Sequence, residues 1–142
     1  MKELELLLKN INIVETKGTL DVSVSALSLS SKEVTEGTLF IAIVGNVADG
    51  HTYIADAISY GASVIVHEKE LDEYNPSVTY VRVLDTRDAL GKIARNFYDN
   101  PSEKLKLIGV TGTNGKTTVT TLLHQLFYTL GYKVGMIGTV VN

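Results

Sequence analysis

Apolar and polar positions follow two different periods along the chain, and the period changes from one segment to the next. Residues 3–9 predict a short opening helix. From Val22 to Ser30 apolar residues alternate with small polar ones, which predicts a half-buried strand. Leu39 to Val44 is almost wholly apolar, as is typical of a strand covered on both faces. The opening segment therefore predicts a helix followed by two strands.

A β-α-β unit is predicted to continue from the apolar strand. Its helix follows the loop GNVADGHT and has apolar residues at helical spacing: Ile54, Ala57 and Ile58. Gly61 stands where a glycine ends a helix, and SVIVHE at 63–68 predicts the returning strand. Val78 to Leu84 predicts a further strand. Asp85 and Thr86 can cap the next helix, whose apolar stripe comprises Leu90, Ile93, Ala94 and Phe97.

A change of composition divides the chain after this helix. Asp99 to Lys104 combines Asn-Pro with polar residues, which is typical of a turn or linker. We therefore expect an N-terminal α/β domain at 1–102 and the start of a second domain at 103–142. In the second domain LKLIGV at 105–110 predicts a buried strand, which a glycine loop and a long helix follow. The helix has an apolar stripe, ends at Gly131 and precedes a strand in YKVGMIGTV; the stripe comprises Val119, Leu122, Leu123, Leu126 and Leu130.

Composition and charge exclude several classes of protein. The chain has 142 residues, 44% hydrophobic and 20% charged, with a net charge of −3 and no basic stripe, so nucleic acid is not an expected partner. It has no cysteine, which excludes disulfides and thiolate metal sites, and its histidines lack metal-ligand spacing. No apolar run approaches the roughly 20 residues needed to cross a bilayer. We expect a cytoplasmic protein without a membrane partner.

The segment GVTGTNGKTTVTTLL, residues 109–123, has the composition of a loop that holds phosphate. Its glycines allow the main chain to approach an anion closely, and the following helix adds the partial positive charge of its N-terminus. Lys116 would reach the β- and γ-phosphates as the catalytic residue, and the Thr117 hydroxyl would coordinate Mg²⁺. The predicted nucleotide contacts are Gly112, Thr113, Asn114, Gly115, Lys116, Thr117 and Thr118. The site implies Mg-ATP or Mg-GTP.

The loop departs from the strict pattern G-x-x-x-x-G-K-[ST], because Val110 stands where the first glycine would be. A glycine-rich turn that binds nothing is the alternative interpretation. The position of Gly-Lys-Thr between a predicted strand and a helix favours phosphate binding.

The form TGTNGKTT, Thr111 to Thr118, resembles the phosphate loop of the Mur ligases. Glu36 to Val66 is similar to the N-terminal, uridine-binding domain of the members that add the third residue or the terminal dipeptide of the peptidoglycan precursor. The Thr-Asn pair of the loop and MIGTV at 136–140 favour the third-residue members. The resemblance implies an enzyme that activates a carboxylate of UDP-N-acetylmuramoyl-L-alanyl-D-glutamate with ATP as an acyl phosphate, which the amine of an amino acid then attacks.

The resemblance also implies a uridine site. Leu29 and Ser31 fall at positions that contact the uridine moiety, and three residues fall on the loop that closes over it: Asn46, Val47 and Ala48. The family's usual Asp-Ser-Arg is replaced by Ser30-Ser31-Lys32, so only the central hydroxyl is retained. A strand end made of small polar residues is the alternative interpretation of this segment.

The histidines are expected to have structural roles. His51 follows the turn signal Asp49-Gly50, so it can cap the next helix or hydrogen-bond the loop, and direct ligand contact is the alternative. His67 and His124 are interpreted as structural.

The second domain has only two predicted strands, whereas a nucleotide-binding α/β domain needs several. We therefore expect the chain to be a fragment that is inactive alone, and the residues that choose between meso-diaminopimelate and L-lysine to lie beyond it. The alternatives are a terminal-dipeptide ligase, a relative such as folylpolyglutamate synthetase, a P-loop NTPase that is not a ligase, and a module that only binds uridine nucleotide.

Overall fold

The computed structural model describes residues 1–45 and 48–138, and it divides the chain into two units, Met1–Lys104 and Leu105–Asn142. The first unit is a mixed α/β unit whose described residues form seven strands, which are β1 (Lys2–Glu3), β2 (Ile13–Lys17), β3 (Ser23–Val24), β4 (Ala26–Ser28), β5 (Thr38–Ile41), β6 (Ala62–His67) and β7 (Thr79–Val83). Its helices are α1 (Leu4–Leu7), α2 (Ile54–Ser59) and α3 (Thr86–Phe97). The second unit contains α4 (Lys116–Thr129).

The main sheet of the first unit has five strands in the order β2-β7-β6-β5-β4. Strands β4 to β7 are parallel, and β2 is antiparallel to β7 at one edge. A separate two-stranded sheet pairs β1 with β3. The α/β class and the β-α-β unit that the sequence predicts are therefore confirmed, because β5 and β6 are parallel and flank α2.

The period-two pattern of the strands divides the core between the two faces of the sheet. One face packs against α1 and α3, and its buried residues include Leu4, Leu7, Leu39, Ile41, Val64, Val66, Val81, Val83, Ala89 and Ile93. The opposite face packs against α2, and its buried residues include Phe40, Ala42, Ile54, Ala57, Ile65 and Tyr80. Both faces of the sheet are thus covered, as its apolar strands require.

Helices α2 and α3 begin and end close to where the sequence predicts, whereas α1 covers only Leu4–Leu7 of the opening helix predicted at residues 3–9. The Asp85 carboxylate caps α3 by accepting hydrogen bonds from the backbone N–H groups of Arg87, at 2.8 Å, and Asp88, at 3.1 Å. A 3₁₀ turn at Gly50–Tyr53 leads into α2. Gly61 follows α2 with φ +103°, and its N–H donates to the Ile58 carbonyl at 3.0 Å, so it ends the helix as expected.

The strand predicted from Val22 to Ser30 is interrupted at Ser25. The Ser25 N–H donates to the Gly37 carbonyl at 2.9 Å, and its hydroxyl donates to the Glu36 carbonyl at 2.9 Å. Because these bonds turn the chain, β3 pairs in the small sheet and β4 in the main one. Strand β2 was not predicted, since IVETK lacks a clear period and three of its five residues are exposed.

In the second unit, Gly131 ends α4 with φ +85°, and its N–H donates to the Tyr128 carbonyl at 2.9 Å. The predicted strands at 105–110 and 132–140 are not paired into a sheet within residues 105–138. Leu107 is 93% exposed and Ile137 is fully exposed. A strand needs a hydrogen-bonded neighbour, and the described part of this unit provides none. None of the helices in the described residues is long and apolar enough to span a membrane.

Candidate functional site

The phosphate-loop sequence adopts the backbone conformation that its glycines allow. Gly115 precedes α4 as its N-cap in the left-handed region, with φ +75°, and Gly112 has φ +151°. A Cβ at Gly115 would meet nothing within 4 Å, so this glycine is required by its backbone angles and not by crowding. The loop therefore leads directly into the N-terminus of a 14-residue helix, where backbone N–H groups have no intrahelical partner.

Lys116 lies over this loop. Its ammonium donates to the carbonyl of Gly112 and to the carbonyl of Thr113 at 3.3 Å. The side chain therefore curls back across the turn and keeps its positive charge beside the helix N-terminus. Because residues 111–118 are all exposed, this charge is accessible to an anion.

Thr117 and Thr118 occupy the first turn of α4, where the backbone N–H groups are available to a ligand. The Thr117 carbonyl accepts from the hydroxyls of Thr120, at 2.9 Å, and Thr121, at 2.8 Å, which lie one turn further along. The structure brings together all the predicted nucleotide contacts, residues 112–118. The loop thus combines the Lys116 ammonium, two glycines with positive φ and threonine hydroxyls at a helix N-terminus. These groups fit a nucleotide phosphate and its Mg²⁺.

A cavity of about 390 Å³ lies in the first unit, at the carboxyl ends of β4 and β5. Its lining comes from these strand ends and from one side of α3, and includes Leu27, Ser28, Leu29, Leu90, Ala94 and Tyr98. Ligands of parallel α/β sheets bind at this edge. Leu29, which is 52% exposed, thus lies on the cavity.

Two further predicted uridine contacts, Ser31 and Ala48, lie in different environments near this edge. Ser31 is buried at 7% exposure and begins a 3₁₀ turn, Ser31–Glu33, next to the cavity without lining it. Ser30 does line the cavity, and its carbonyl accepts from the Ser28 hydroxyl at 2.9 Å. Ala48 is exposed, and its carbonyl accepts from the Gly45 N–H at 3.0 Å. Asn46 and Val47 lie outside the described residues.

Polar side chains fasten the loop after β5 to the end of β6. Asp49 accepts hydrogen bonds from the Lys69 ammonium and from the backbone and ring N–H groups of His51. These bonds hold the pKa of Asp49 well below its usual range, and the bond from Lys69 has the largest effect. The hydrogen bond between His51 and the loop was expected from the sequence, whereas the contact with Lys69 was not predicted, because Lys69 lies 20 residues from Asp49 in the chain.

His67 and His124 have the structural environments expected of them. His67 is 1% exposed, and its Nδ1 lies 2.7 Å from the Lys69 carbonyl. Burial lowers the pKa of the His67 imidazole. His124 stacks on Tyr128 with ring centroids 6.4 Å apart.

The parallel sheet with its cavity at the carboxyl edge defines the first unit as an α/β unit, and the second unit has a glycine-lysine-threonine loop before α4. Comparison with known families is more specific. The chain belongs to the Mur ligase family, because the model of the Mur ligase family, catalytic domain, matches residues 23–98, more than half of its length. The matched segment contains Leu29 and Ser31 and ends before the phosphate loop.

Curated relatives match almost the whole chain. It is 49% identical over 138 residues to the UDP-N-acetylmuramoyl-L-alanyl-D-glutamate--2,6-diaminopimelate ligase of Cytophaga hutchinsonii, covering 96% of this chain and 28% of the relative. The ligase of the same name from Bacteroides fragilis is 46% identical over 140 residues, covering 99% of this chain and 29% of the relative. The chain therefore spans less than a third of the length of these relatives.

Solved structures of the family have a similar fold. The MurF ligase of Thermotoga maritima in complex with ADP is 35% identical, with a TM-score of 0.56, covering 75% of this chain and 24% of that chain. A structure of a UDP-N-acetylmuramoyl-L-alanyl-D-glutamate--2,6-diaminopimelate ligase is 25% identical, with a TM-score of 0.61, covering 92% of this chain and 26% of that chain.

Proposed function

We propose that this chain forms part of an ATP-dependent ligase that adds the third amino acid to UDP-N-acetylmuramoyl-L-alanyl-D-glutamate in peptidoglycan synthesis. The observation that carries the proposal is the likeness, over almost the whole chain, to curated ligases named for this substrate and for 2,6-diaminopimelate. The same names support diaminopimelate, and not L-lysine, as the amino acid added. Because its precursor is a nucleotide conjugate and its energy source is ATP, we place the reaction in the cytoplasm.

The phosphate loop is proposed to hold the nucleotide. Lys116 would neutralise charge on the β- and γ-phosphates, the N–H groups around Gly115 would bind phosphate oxygens, and Thr117 would hold Mg²⁺. Bound Mg-ATP would supply the phosphoryl group that activates the substrate carboxylate. The exposed loop and the position of the Lys116 ammonium support this role. The described residues contain no group of three or more histidines and carboxylates suited to a metal, so a hydroxyl and phosphate oxygens are the proposed ligands.

The cavity in the first unit is proposed to receive the uridine end of the substrate. Leu29 on its lining and Ser31 in the adjacent turn are the proposed contacts, together with the loop residues Asn46, Val47 and Ala48. The proposal assigns uridine recognition to residues 1–102 and phosphate binding to residues 103–142.

The terminal-dipeptide ligases are the second candidate, since the Thermotoga maritima MurF is 35% identical over its aligned part. The higher identity and coverage of the relatives named for diaminopimelate favour the third-residue step.

Phosphate release distinguishes the two candidates. A protein of the relatives' full length that contains this chain is incubated with ATP, Mg²⁺ and UDP-N-acetylmuramoyl-L-alanyl-D-glutamate, with diaminopimelate or L-lysine in separate reactions, and the product is identified by mass. Release that depends on diaminopimelate is the expected result. Release that requires the tripeptide precursor and D-alanyl-D-alanine would instead assign the terminal-dipeptide step. The 142-residue chain alone is expected to form no product.

A further inference from the structure

The turn that carries Ala48 is closed by backbone hydrogen bonds at its base. Val44 and Asp49 form an antiparallel bridge, the Gly45 N–H donates to the Ala48 carbonyl at 3.0 Å, and the Gly50 N–H donates to the Ile43 carbonyl at 2.8 Å. The paired residues Val44–Gly45 and Ala48–Asp49 form the base of the turn, and two side chains attach this base to the rest of the first unit.

His51 provides one attachment of this base. Its Nε2 accepts hydrogen bonds from the backbone N–H groups of Glu68, at 3.2 Å, and Lys69, at 3.3 Å, just after β6. Because Nε2 acts as an acceptor, the ring proton lies on Nδ1, which donates to the Asp49 carboxylate at 2.7 Å. One imidazole thus joins the base of the turn to a strand end that lies 17 residues further along the chain.

Arg87 provides a second attachment, at Val44, the bridge partner of Asp49. Its guanidinium donates to the Val44 carbonyl at 3.0 Å from the first turn of α3. Glu68 connects the two attachments, since its carboxylate accepts from the Thr86 N–H at 2.9 Å and the Thr86 hydroxyl at 2.8 Å. The base of the turn is therefore fastened to the ends of both β6 and β7.

The geometry points away from direct contact between His51 and a ligand. Both ring nitrogens are engaged within the protein, and the side chain is only 7% exposed. We propose that His51 is a positioning residue for the uridine nucleotide: with Arg87 it holds the base of the turn, and with it Ala48, in place at the carboxyl edge of the sheet. This inference rests on the proposed function, which assigns Ala48 to the uridine site.

Binding of UDP to the 142-residue chain tests the inference by titration calorimetry. His51→Ala removes both attachments of the imidazole, and we expect its Kd to rise about tenfold, the effect of losing one or two hydrogen bonds. His51→Gln should recover affinity to within about threefold, because its amide can both accept from the backbone and donate to Asp49. Ile93→Val is the matched control, because it lowers stability by deleting a buried methylene where α3 packs on the sheet. The Kd of this variant for UDP should equal that of the parent chain.

Arg87→Ala keeps the test decisive if His51→Ala does not fold. Arg87 is exposed, so its removal leaves the core intact, and we expect a Kd about threefold higher than the parent's. A Kd unchanged by His51→Ala, or by Arg87→Ala where the first variant does not fold, would overturn the inference and leave the uridine site standing. Failure of the parent chain to bind UDP would overturn the proposed uridine site, and the inference with it.

Discussion

The first unit and the second unit have strand sequences of similar apolar character, yet among the described residues these sequences are buried in the first unit and largely exposed in the second. Leu39 and Val64 in the parallel sheet are 0% exposed, whereas Leu107 is 93% exposed. The helix of the second unit forms nevertheless, and its capping glycine takes the left-handed conformation. The difference shows that a helix and its cap are determined by local hydrogen bonds, whereas a strand depends on neighbours distant in the chain.

Two truncations of apolar side chains test this comparison most strongly. Phe40→Ala, at a fully buried position of the sheet, should lower the free energy of unfolding by about 3–5 kcal/mol, because it leaves a cavity beneath α2. Leu122→Ala on α4, where the leucine is 60% exposed, should change it by less than about 0.5 kcal/mol. Urea denaturation followed by circular dichroism measures both. Equal losses would mean that α4 is buried to the same degree as the sheet.

Lys116→Ala separates the chemical roles of the two units. In a full-length protein we expect turnover to fall by about 100- to 1,000-fold, the usual effect of removing one group that stabilises transition-state charge. Affinity for UDP should be unchanged, because the proposed uridine site belongs to the first unit. Lys104→Ala is the matched control, since it removes a lysine outside the loop and should leave turnover unaffected. Equal loss of UDP affinity and turnover in Lys116→Ala would contradict the division.

The pH dependence of stability tests the buried histidine of the first unit. The pKa of His67 is lowered by burial, with further lowering by His51 and Arg82, opposed by the Lys69 carbonyl and Glu15. The folded state therefore stays neutral where the unfolded state, with a pKa near 6.5, takes up a proton. Stability contributed by neutral His67 is complete above about pH 6.5 and falls below it, by at most about 1.4 kcal/mol per pH unit.

Urea midpoints between pH 8 and pH 5 measure this effect. His67→Gln keeps a donor for the Lys69 carbonyl and lacks the titrating ring, so its stability should fall less steeply below pH 6.5. The same slope in the parent and the variant would assign the dependence to other groups.

The smallest expected effect concerns the cap of α3. Asp85→Ala removes the acceptor for the N–H groups of Arg87 and Asp88 and should cost about 1 kcal/mol of stability. Asp85→Asn retains an acceptor and should recover most of the loss, as urea denaturation of the two variants can measure. No difference between alanine and asparagine would show that the carboxylate contributes by charge or not at all.

The elements predicted from sequence are those with a strong period or a defined cap. Helix α3 was predicted from its apolar stripe and Asp85, and β6 from an apolar run preceded by Gly61. Strand β2 was not predicted, because it lies at the sheet edge and its residues do not alternate between apolar and polar. The strand predicted at 105–110 is not paired within residues 105–138. Its apolar pattern indicates that the segment can form a strand, but it does not identify a neighbouring strand.

The phosphate loop and the attachments of His51 and Arg87 also differ in how far the sequence predicts them. Residues 112–118 are contiguous, so the motif alone predicted which side chains lie together. The attachments of His51 join residues 17 and 18 positions apart, and that of Arg87 spans 43. Pairings of this kind depend on the order of strands in the sheet, which no local pattern contains.

The two margins of the main sheet bear on how the protein behaves at high concentration. On one margin β4 is three residues long, which gives an incoming strand little to pair with. On the other, β2 carries Glu15 and Lys17, and the Lys17 ammonium lies 3.6 Å from the centre of the Tyr74 ring. Burying these charges between molecules would be unfavourable, so both margins oppose edge-to-edge aggregation.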